Sequence, residues 1–200
     1  MIAIVDYGAG NLFSVKNALD FIGAPSEITS DLKEMEAADK IILPGVGAFP
    51  DAMRMLREAG LVDFLRGQAE KKPFLGICLG MQILFEKGYE FQETEGLGLI
   101  PGSVVKLADK AEYKIPHMGW NDLTRRNDCP LLKDVEDGAY VYFVHSYRAD
   151  TEGRYIAADT QYTEPIPALV QNGFVFGAQF HPEKSGEVGL TMLKNFAGLA

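Results

Sequence analysis

The chain has 200 residues, of which 47% are hydrophobic and 24% are charged, a balance typical of a globular protein with a substantial core. A formal net charge of −9 argues against a surface built for nucleic acid or anionic membrane, since both need clustered lysine and arginine. Cys78 and Cys129 are the only cysteines and lack zinc-ligand spacing, which predicts a reducing, cytoplasmic location.

The first half of the chain alternates between short apolar runs and segments with helical periodicity. Strands are predicted at residues 2–5, 26–29, 39–43 and up to Cys78, and helices at 12–21, 52–57, 61–71 and through 82–86. This alternation predicts a parallel sheet with helices on both faces, in which ligands bind beyond the carboxyl ends of the strands. The loops starting at Tyr7, Pro44 and Cys78 should therefore share one edge.

A glycine pair after the first strand, Gly8 and Gly10, matches part of a dinucleotide-binding loop. Phe13 occupies the place of the third glycine, which favours a tight loop at the rim of the sheet.

The second half predicts β-structure. Apolar segments separated by turn residues occupy 97–107, 140–144, 155–160, 168–171 and 174–179, and a last helix covers 185–197. Asn172 and Gly173 predict a hairpin between the last two strands. The expected fold is α/β, an open and mostly parallel sheet with a flavodoxin-like core and an antiparallel extension. Without a linker or an internal repeat, residues 1–200 are expected to form one domain.

A cysteine between two glycines marks the corner between a strand and a helix. Cys78 is flanked by Gly76 and Gly80, the nucleophile-elbow pattern with cysteine in place of serine. The helix N-terminus that follows favours thiolate over thiol. A lone cysteine is more often a buried structural residue, so the pattern needs a base to become a catalytic site.

The segment His181-Pro182-Glu183 supplies that base at the end of an apolar strand. A carboxylate two residues after a histidine can fix its tautomer and stabilise its charged form, which makes Cys78, His181 and Glu183 a possible triad. Backbone N–H groups of Leu79 and of Gly45, Val46 and Gly47 are the candidates for an oxyanion hole. For the latter three, the alternative is an ordinary strand-end turn.

The Gly-Ile-Cys-Leu-Gly-Met-Gln and Gln-Phe-His-Pro-Glu motifs resemble those of the class I, or triad, glutamine amidotransferases over essentially the whole chain. The resemblance implies Cys78 as the nucleophile, His181 as base and acid, and Glu183 as the orienting carboxylate. It also implies the following substrate contacts: Gln82, Glu90 near the α-amino group of glutamine, and backbone at Ser146 and Tyr147 near its α-carboxylate.

Within that family, three further features resemble the glutaminase subunits of imidazole glycerol phosphate synthase, an enzyme of histidine biosynthesis. They are Val46 in the oxyanion loop, the Pro-His-Met-Gly-Trp-Asn segment that begins at Pro116, and the Phe-Val-His-Ser-Tyr segment that begins at Phe143. The resemblance implies a (β/α)₈-barrel cyclase as partner, docked over the active-site face. Partner contacts are expected at Asn11, Trp120, Tyr142 and Lys184, although core packing of Trp120 and solvation of Lys184 are the simpler alternatives.

No cofactor is expected. The histidines His117, His145 and His181 have no carboxylate or cysteine at ligand spacing, which argues against a metal. The remaining alternatives are the amidotransferase subunit of anthranilate or aminodeoxychorismate synthase, a non-catalytic scaffold of the same fold, and a cysteine peptidase or carbonyl-stress protein.

Overall fold

The computed structural model describes residues 1–199. Its strands are β1 Ile2–Val5, β2 Ser26–Thr29, β3 Lys40–Gly45, β4 Phe74–Cys78, β5 Phe85–Gly88, β6 Thr94–Glu95, β7 Ile100–Lys106, β8 His117–Asp122, β9 Thr124–Arg125, β10 Tyr140–His145, β11 Tyr147–Asp150, β12 Ile156–Gln161, β13 Pro165–Asn172 and β14 Val175–Ala178.

Its helices are α1 Leu12–Phe21, α2 Leu32–Ala37, α3 Phe49–Glu58, α4 Val62–Ala69, α5 Leu79–Gln82 and α6 Gly186–Ala197. Short 3₁₀ turns cover Pro130–Leu132, Gly153–Tyr155 and Pro182–Lys184. Within residues 1–199, no helix is both long and apolar enough to cross a bilayer.

The largest sheet has eight strands in the order β2-β1-β3-β4-β14-β13-β12-β9. The first five strands are parallel, whereas β13, β12 and β9 continue the sheet in antiparallel pairings. The parallel part has the flavodoxin-like strand order. The predicted fold class, an open and mostly parallel sheet with an antiparallel extension, is therefore confirmed.

Helices cover both faces of this sheet because its central strands are buried on both sides. In β1, Ile2 and Ile4 face the core that α1 and α6 cover, and Ala3 and Val5 face the core that α2, α3 and α4 cover. Strands buried on two faces need continuous apolar runs and not alternating ones, which explains why short apolar runs predicted them.

Smaller sheets lie beside the main one. A four-stranded sheet has the order β11-β7-β5-β6, and β8 pairs with β10 in an antiparallel two-stranded ribbon. The predicted helical continuation through residues 82–86 is wrong: α5 ends at Gln82, and β5 begins at Phe85. Ile83, Leu84 and Phe85 are all completely buried, so this stretch lacks the polar face of a surface helix.

Two tight turns differ in detail from the expected patterns. The β13–β14 hairpin forms as predicted, but its turn residues are Gly173 and Phe174, because Asn172 pairs with Val175. After β1, Gly8 and Gly10 adopt φ values of +92° and +118°. These positive φ values give the Gly8–Gly10 pair a conformational role in the loop at the rim of the sheet.

Candidate active site

Cys78 lies at the sharp corner between β4 and α5. Its φ of +56° and ψ of −112° form a backbone conformation that non-glycine residues rarely adopt. The flanking glycines allow the corner: a Cβ on Gly76 would lie 2.5 Å from the Gly80 carbonyl oxygen, and a Cβ on Gly80 would lie 1.9 Å from that of Leu43. The strained corner presents the thiol at the carboxyl edge of the sheet.

His181 follows β14 and precedes the 3₁₀ turn Pro182–Lys184. Its Nδ1 lies 2.8 Å from Oε1 of Glu183, and both side chains are almost fully buried. The same turn is fixed to β10, because the N–H of His181 donates to the Tyr142 carbonyl and the N–H of Tyr142 donates to the Ser185 hydroxyl, each at 3.0 Å. The imidazole therefore has a fixed position and a fixed carboxylate partner.

The electrostatics favour a charged imidazole at His181. Burial alone would lower its pKa, but the neighbouring Cys78 and the hydrogen-bonded Glu183 outweigh burial and raise the pKa to about 9. The raised pKa favours the protonated imidazole at neutral pH, beside the thiol of Cys78. Such a pair can supply both a nucleophile and a proton for a leaving group.

A cavity of about 420 Å³ opens beside the thiol, a size suited to a small-molecule ligand. Most of the predicted catalytic, oxyanion and substrate-binding residues line it: Val46, Gly47, Cys78, Leu79, Gln82, Glu90, Ser146, Tyr147 and His181. Glu183 lies behind the imidazole of His181, to which it is hydrogen-bonded.

Gly45 differs from the other oxyanion candidates. It is the last residue of β3, paired with Cys78, and lies outside the cavity lining. A Cβ at Gly45 would lie 2.6 Å from the backbone nitrogen of Gly80, so close packing of β3 against α5 accounts for the glycine. By contrast Gly47 has φ = +105° and open space around its Cα, as expected for a loop glycine whose backbone turns towards the cavity.

An amide and a carboxylate that line the cavity, those of Gln82 and Glu90, are held in place by hydrogen bonds within the protein. Gln82 donates from Nε2 to the Tyr147 carbonyl and to Oε1 of Gln179, both at 3.0 Å, which leaves its amide oxygen for the cavity. Glu90 accepts from the N–H of Phe49 at 2.8 Å. Burial raises the pKa of Glu90, although that hydrogen bond opposes the shift.

Sequence reasoning assigned no place at the site to Pro116, Val144, His145 or Gln179. The first three line the cavity, and the Val144 carbonyl accepts a hydrogen bond from the Cys78 thiol at 3.8 Å. Gln179 is completely buried beneath Gln82. Each of the four lies inside a quoted motif, so the signal was present, but a motif does not say which of its side chains point inward.

The predicted partner residues lie outside the cavity, on nearby elements. Trp120 and Tyr142 are cross-strand neighbours on β8 and β10, with ring centroids 6.2 Å apart, and Trp120 is 56% exposed. This exposure contradicts core packing of the tryptophan. Asn11 is half-buried directly before α1, and Lys184 is exposed on the 3₁₀ turn that α1 and β10 both contact.

Among residues 1–199, no group of three or more histidine, cysteine, aspartate or glutamate side chains could hold a metal ion. His117 and His145 bond to each other instead, with 2.9 Å between Nδ1 of the first and Nε2 of the second.

Comparisons with known proteins agree with this geometry. The family model described as "Glutamine amidotransferase class-I" matches residues 3–198. The chain is 53% identical, over all of its length and 95% of the relative's, to the protein of Bacillus cereus named imidazole glycerol phosphate synthase subunit HisH. It is also 53% identical, over the same shares of the two chains, to the protein of that name from Bacillus anthracis.

Similar folds occur among solved structures. A structure described as PurLQS from Thermotoga maritima matches with a TM-score of 0.74 and 23% identity, over 98% of this chain and 96% of that one. At that identity the likeness supports the fold only, whereas the family match and the relatives cover nearly the whole sequence. The chain therefore belongs to the class-I glutamine amidotransferase family, together with the HisH subunits of imidazole glycerol phosphate synthase.

Proposed function

We propose that this chain hydrolyses the side-chain amide of glutamine and delivers the ammonia to a (β/α)₈-barrel cyclase, as the glutaminase subunit of imidazole glycerol phosphate synthase. The observation that carries this proposal is one cavity lined by Cys78, His181 and Gln82, with Glu183 bonded behind the imidazole. The cyclase would use the ammonia to form imidazole glycerol phosphate and an aminoimidazole carboxamide ribotide, in histidine biosynthesis.

Catalysis would proceed through a thioester. The sulfur of Cys78 attacks the side-chain carbonyl carbon of glutamine, and the His181 imidazolium gives its proton to the departing nitrogen, which leaves as ammonia. The neutral imidazole then takes a proton from water as the water oxygen attacks the thioester carbon. Glutamate leaves, the C–S bond breaks and the sulfur is restored. Glu183 keeps Nδ1 of His181 protonated throughout, so that Nε2 does the proton transfer.

The negatively charged oxygen that forms when the sulfur attacks the amide carbonyl needs hydrogen-bond donors. We assign that role to the N–H of Leu79, in the first turn of α5 where no intrahelical acceptor exists, and to an N–H of the Val46–Gly47 loop. Val46 is β-branched and therefore stiff. We hypothesise that the free subunit holds this loop with a carbonyl towards the hole, and that docking of the partner rotates the Val46–Gly47 peptide.

That hypothesis predicts slow hydrolysis by the free subunit and fast hydrolysis in the complex. A single lost oxyanion donor costs about a hundredfold or more in rate, which sets the expected activation. Equal glutaminase rates with and without the cyclase would contradict it.

The partner would bind the β8–β10 ribbon and its surroundings. Met118, Trp120 and Tyr140 are more than half exposed on the outer face of the ribbon, an unusual concentration of large apolar side chains beside a catalytic cavity. Tyr142 and Lys184 extend this surface towards His181, and Asn11 lies directly before α1, which contacts the 3₁₀ turn that carries Lys184. Tryptophan and tyrosine are common anchors of protein interfaces, which supports this ribbon as the docking surface.

The test is glutamate release by the complex with a barrel cyclase, for the parent and for Cys78→Ala. We expect loss of release in Cys78→Ala with unchanged affinity for the cyclase. Cys129→Ala, a substitution at the buried second cysteine, is the matched control and should retain activity. Glutamate release by Cys78→Ala at the parent's rate would refute the catalytic assignment.

Two alternatives are separated by the same preparation. The amidotransferase subunit of another synthase would stimulate an anthranilate or aminodeoxychorismate synthase and would not bind a barrel cyclase. A scaffold would bind the cyclase without releasing glutamate.

We also propose one domain over residues 1–200 and a cytoplasmic location. The two free thiols support that location.

A further inference from the structure

Two buried histidines outside the triad form a hydrogen-bonded chain that ends at the cavity. His145 places Nδ1 2.8 Å from the Tyr147 carbonyl, His117 places Nδ1 2.9 Å from Nε2 of His145, and Nδ2 of Asn121 lies 3.3 Å from Nε2 of His117. The amide of Asn121 also donates to the Gln161 carbonyl at 3.0 Å. Both imidazoles are almost fully buried.

The hydrogen bonds that link Asn121, His117, His145 and the Tyr147 carbonyl run in a single consistent direction when both rings are neutral. A backbone carbonyl only accepts, so Nδ1 of His145 carries the proton and Nε2 of His145 accepts. His117 must then donate from Nδ1, and its Nε2 accepts from Asn121. Every ring nitrogen is satisfied, and an extra proton on either ring would set a donor against a donor. Burial, which lowers the pKa of both rings, agrees with the neutral state.

The end of the chain is a carbonyl held from two sides. The Tyr147 oxygen accepts from His145 and also from Nε2 of Gln82. Ser146 joins β10 of the ribbon to β11 of the four-stranded sheet, Tyr147 is the first residue of β11, and both residues line the cavity. The hydrogen bond from His145 therefore fixes the Ser146–Tyr147 segment and, through the shared carbonyl, the side chain of Gln82. Under the proposed function, both bind the substrate.

The other end of the chain lies on the proposed docking ribbon. His117 and His145 are the last cross-strand pair of β8 and β10, and Trp120 pairs with Tyr142 three positions away. The histidines occupy the inner face, where His117 is stacked between Phe143 and Tyr162. The aromatic docking residues occupy the opposite face of the same two strands.

We propose that His117 and His145 are positioning residues for glutamine binding, which hold the Tyr147 carbonyl and link its orientation to the β8–β10 ribbon. This inference rests on the proposed function. We call the hydrogen-bonded row of His117, His145 and the Tyr147 carbonyl the relay. The proposal predicts that loss of the relay raises the Michaelis constant for glutamine more than it lowers the turnover number, because Cys78 and His181 keep their own contacts.

The experiment compares His145→Leu, which removes the donor, with His145→Asn, whose amide can donate from the position of Nδ1. All measurements use the complex with the cyclase. We expect about a tenfold higher Michaelis constant for glutamine in His145→Leu, the usual worth of one buried hydrogen bond, and substantial recovery in His145→Asn. His117→Phe retains the aromatic stack and should reduce the ratio of the rates with and without the cyclase.

Labelling of Cys78 supplies an independent readout. Alkylation by iodoacetamide needs only the thiol, whereas alkylation by the glutamine-shaped diazo ketone 6-diazo-5-oxo-L-norleucine also needs the substrate contacts. We expect His145→Leu to slow the second reaction about tenfold and to leave the first within about twofold of the parent. Equal Michaelis constants and equal labelling in His145→Leu and the parent would overturn the relay. Failure of the parent to react with the diazo ketone would instead overturn the proposed function.

Discussion

Stability at acid pH is a direct test of the buried pair His117 and His145. Burial lowers the pKa of His117 to about 4 and that of His145 to about 3. A histidine in an unfolded chain has a pKa of about 6.5, so below that pH the unfolded chain binds protons that the native protein does not. The stability contributed by the neutral rings is therefore present above pH 6.5 and is lost as the pH falls towards the folded values.

Each neutral histidine makes the free energy of unfolding depend on pH by about 1.4 kcal/mol per unit between its two pKa values. The full slope applies only below pH 6.5, because at pH 7 a histidine of the unfolded chain is mostly neutral. A change from pH 7 to pH 5 therefore lowers the free energy of unfolding by about 2 kcal/mol for each ring and by about 4 kcal/mol for the pair. Carboxylates contribute their own acid dependence, so the comparison must be between variants.

The assay is urea unfolding at pH 7 and at pH 5, with the free energy of unfolding extrapolated to water. We expect the loss between the two pH values to be about 2 kcal/mol smaller in His145→Asn, which retains a donor for the Tyr147 carbonyl but has no titrating ring. His181→Asn is the control of opposite sign, because the pKa of His181 is raised, and it should not reduce the acid loss. Identical acid dependence in His145→Asn and the parent would refute the reasoning.

Three further substitutions, one of them with a matched control, test separate parts of the molecule. Glu183→Gln removes the charge that stabilises the catalytic imidazolium, so the turnover number should fall about a hundredfold or more with little change in the Michaelis constant, as steady-state kinetics will determine. Gly80→Ala places a Cβ 1.9 Å from the Leu43 carbonyl oxygen and should cost about 3 kcal/mol or more in urea unfolding, whereas Gly67→Ala, in open space within α4, should gain about 0.5 to 1 kcal/mol. Trp120→Ala should weaken cyclase binding in calorimetry by about 2 kcal/mol and leave the unfolding curve of the free chain unchanged; unchanged affinity would exclude the ribbon as a docking anchor.

The parallel half of the fold was predictable because its central strands β1, β3 and β4 are short apolar runs set between helices and turns. The helix α2 was missed although it carries a local signal, since Asp31 accepts from the N–H groups of Lys33 and Glu34 as an N-cap. The four-stranded sheet was missed for a different reason. Its strands β7 and β11 pair across more than forty residues, and pairing at that distance leaves no local pattern.

The site shows the same division between local and distant information. Cys78 was predictable because the two glycines that its corner requires, Gly76 and Gly80, are its near neighbours in the sequence. His117 and His145 were considered only as metal ligands, and no other shared role was predicted, because nothing in the sequence shows that β8 and β10 pair with those two residues opposite each other. Only the strand register of the β8–β10 ribbon places the two imidazoles opposite each other.

The contacts of β10 indicate how a partner reaches the chemistry. The Tyr142 carbonyl in this strand accepts from the N–H of His181, and His145 at the end of the strand is hydrogen-bonded to the carbonyl of Tyr147, a residue that lines the cavity. Cys78, in contrast, lies at the corner between β4 and α5, where the backbone at Gly76 and Gly80 is packed too closely to admit a Cβ. Displacement of the β8–β10 ribbon would therefore move the proposed base and the proposed substrate contacts relative to the corner that carries Cys78. Under the proposed function, activation by a partner then needs no change at the sulfur itself.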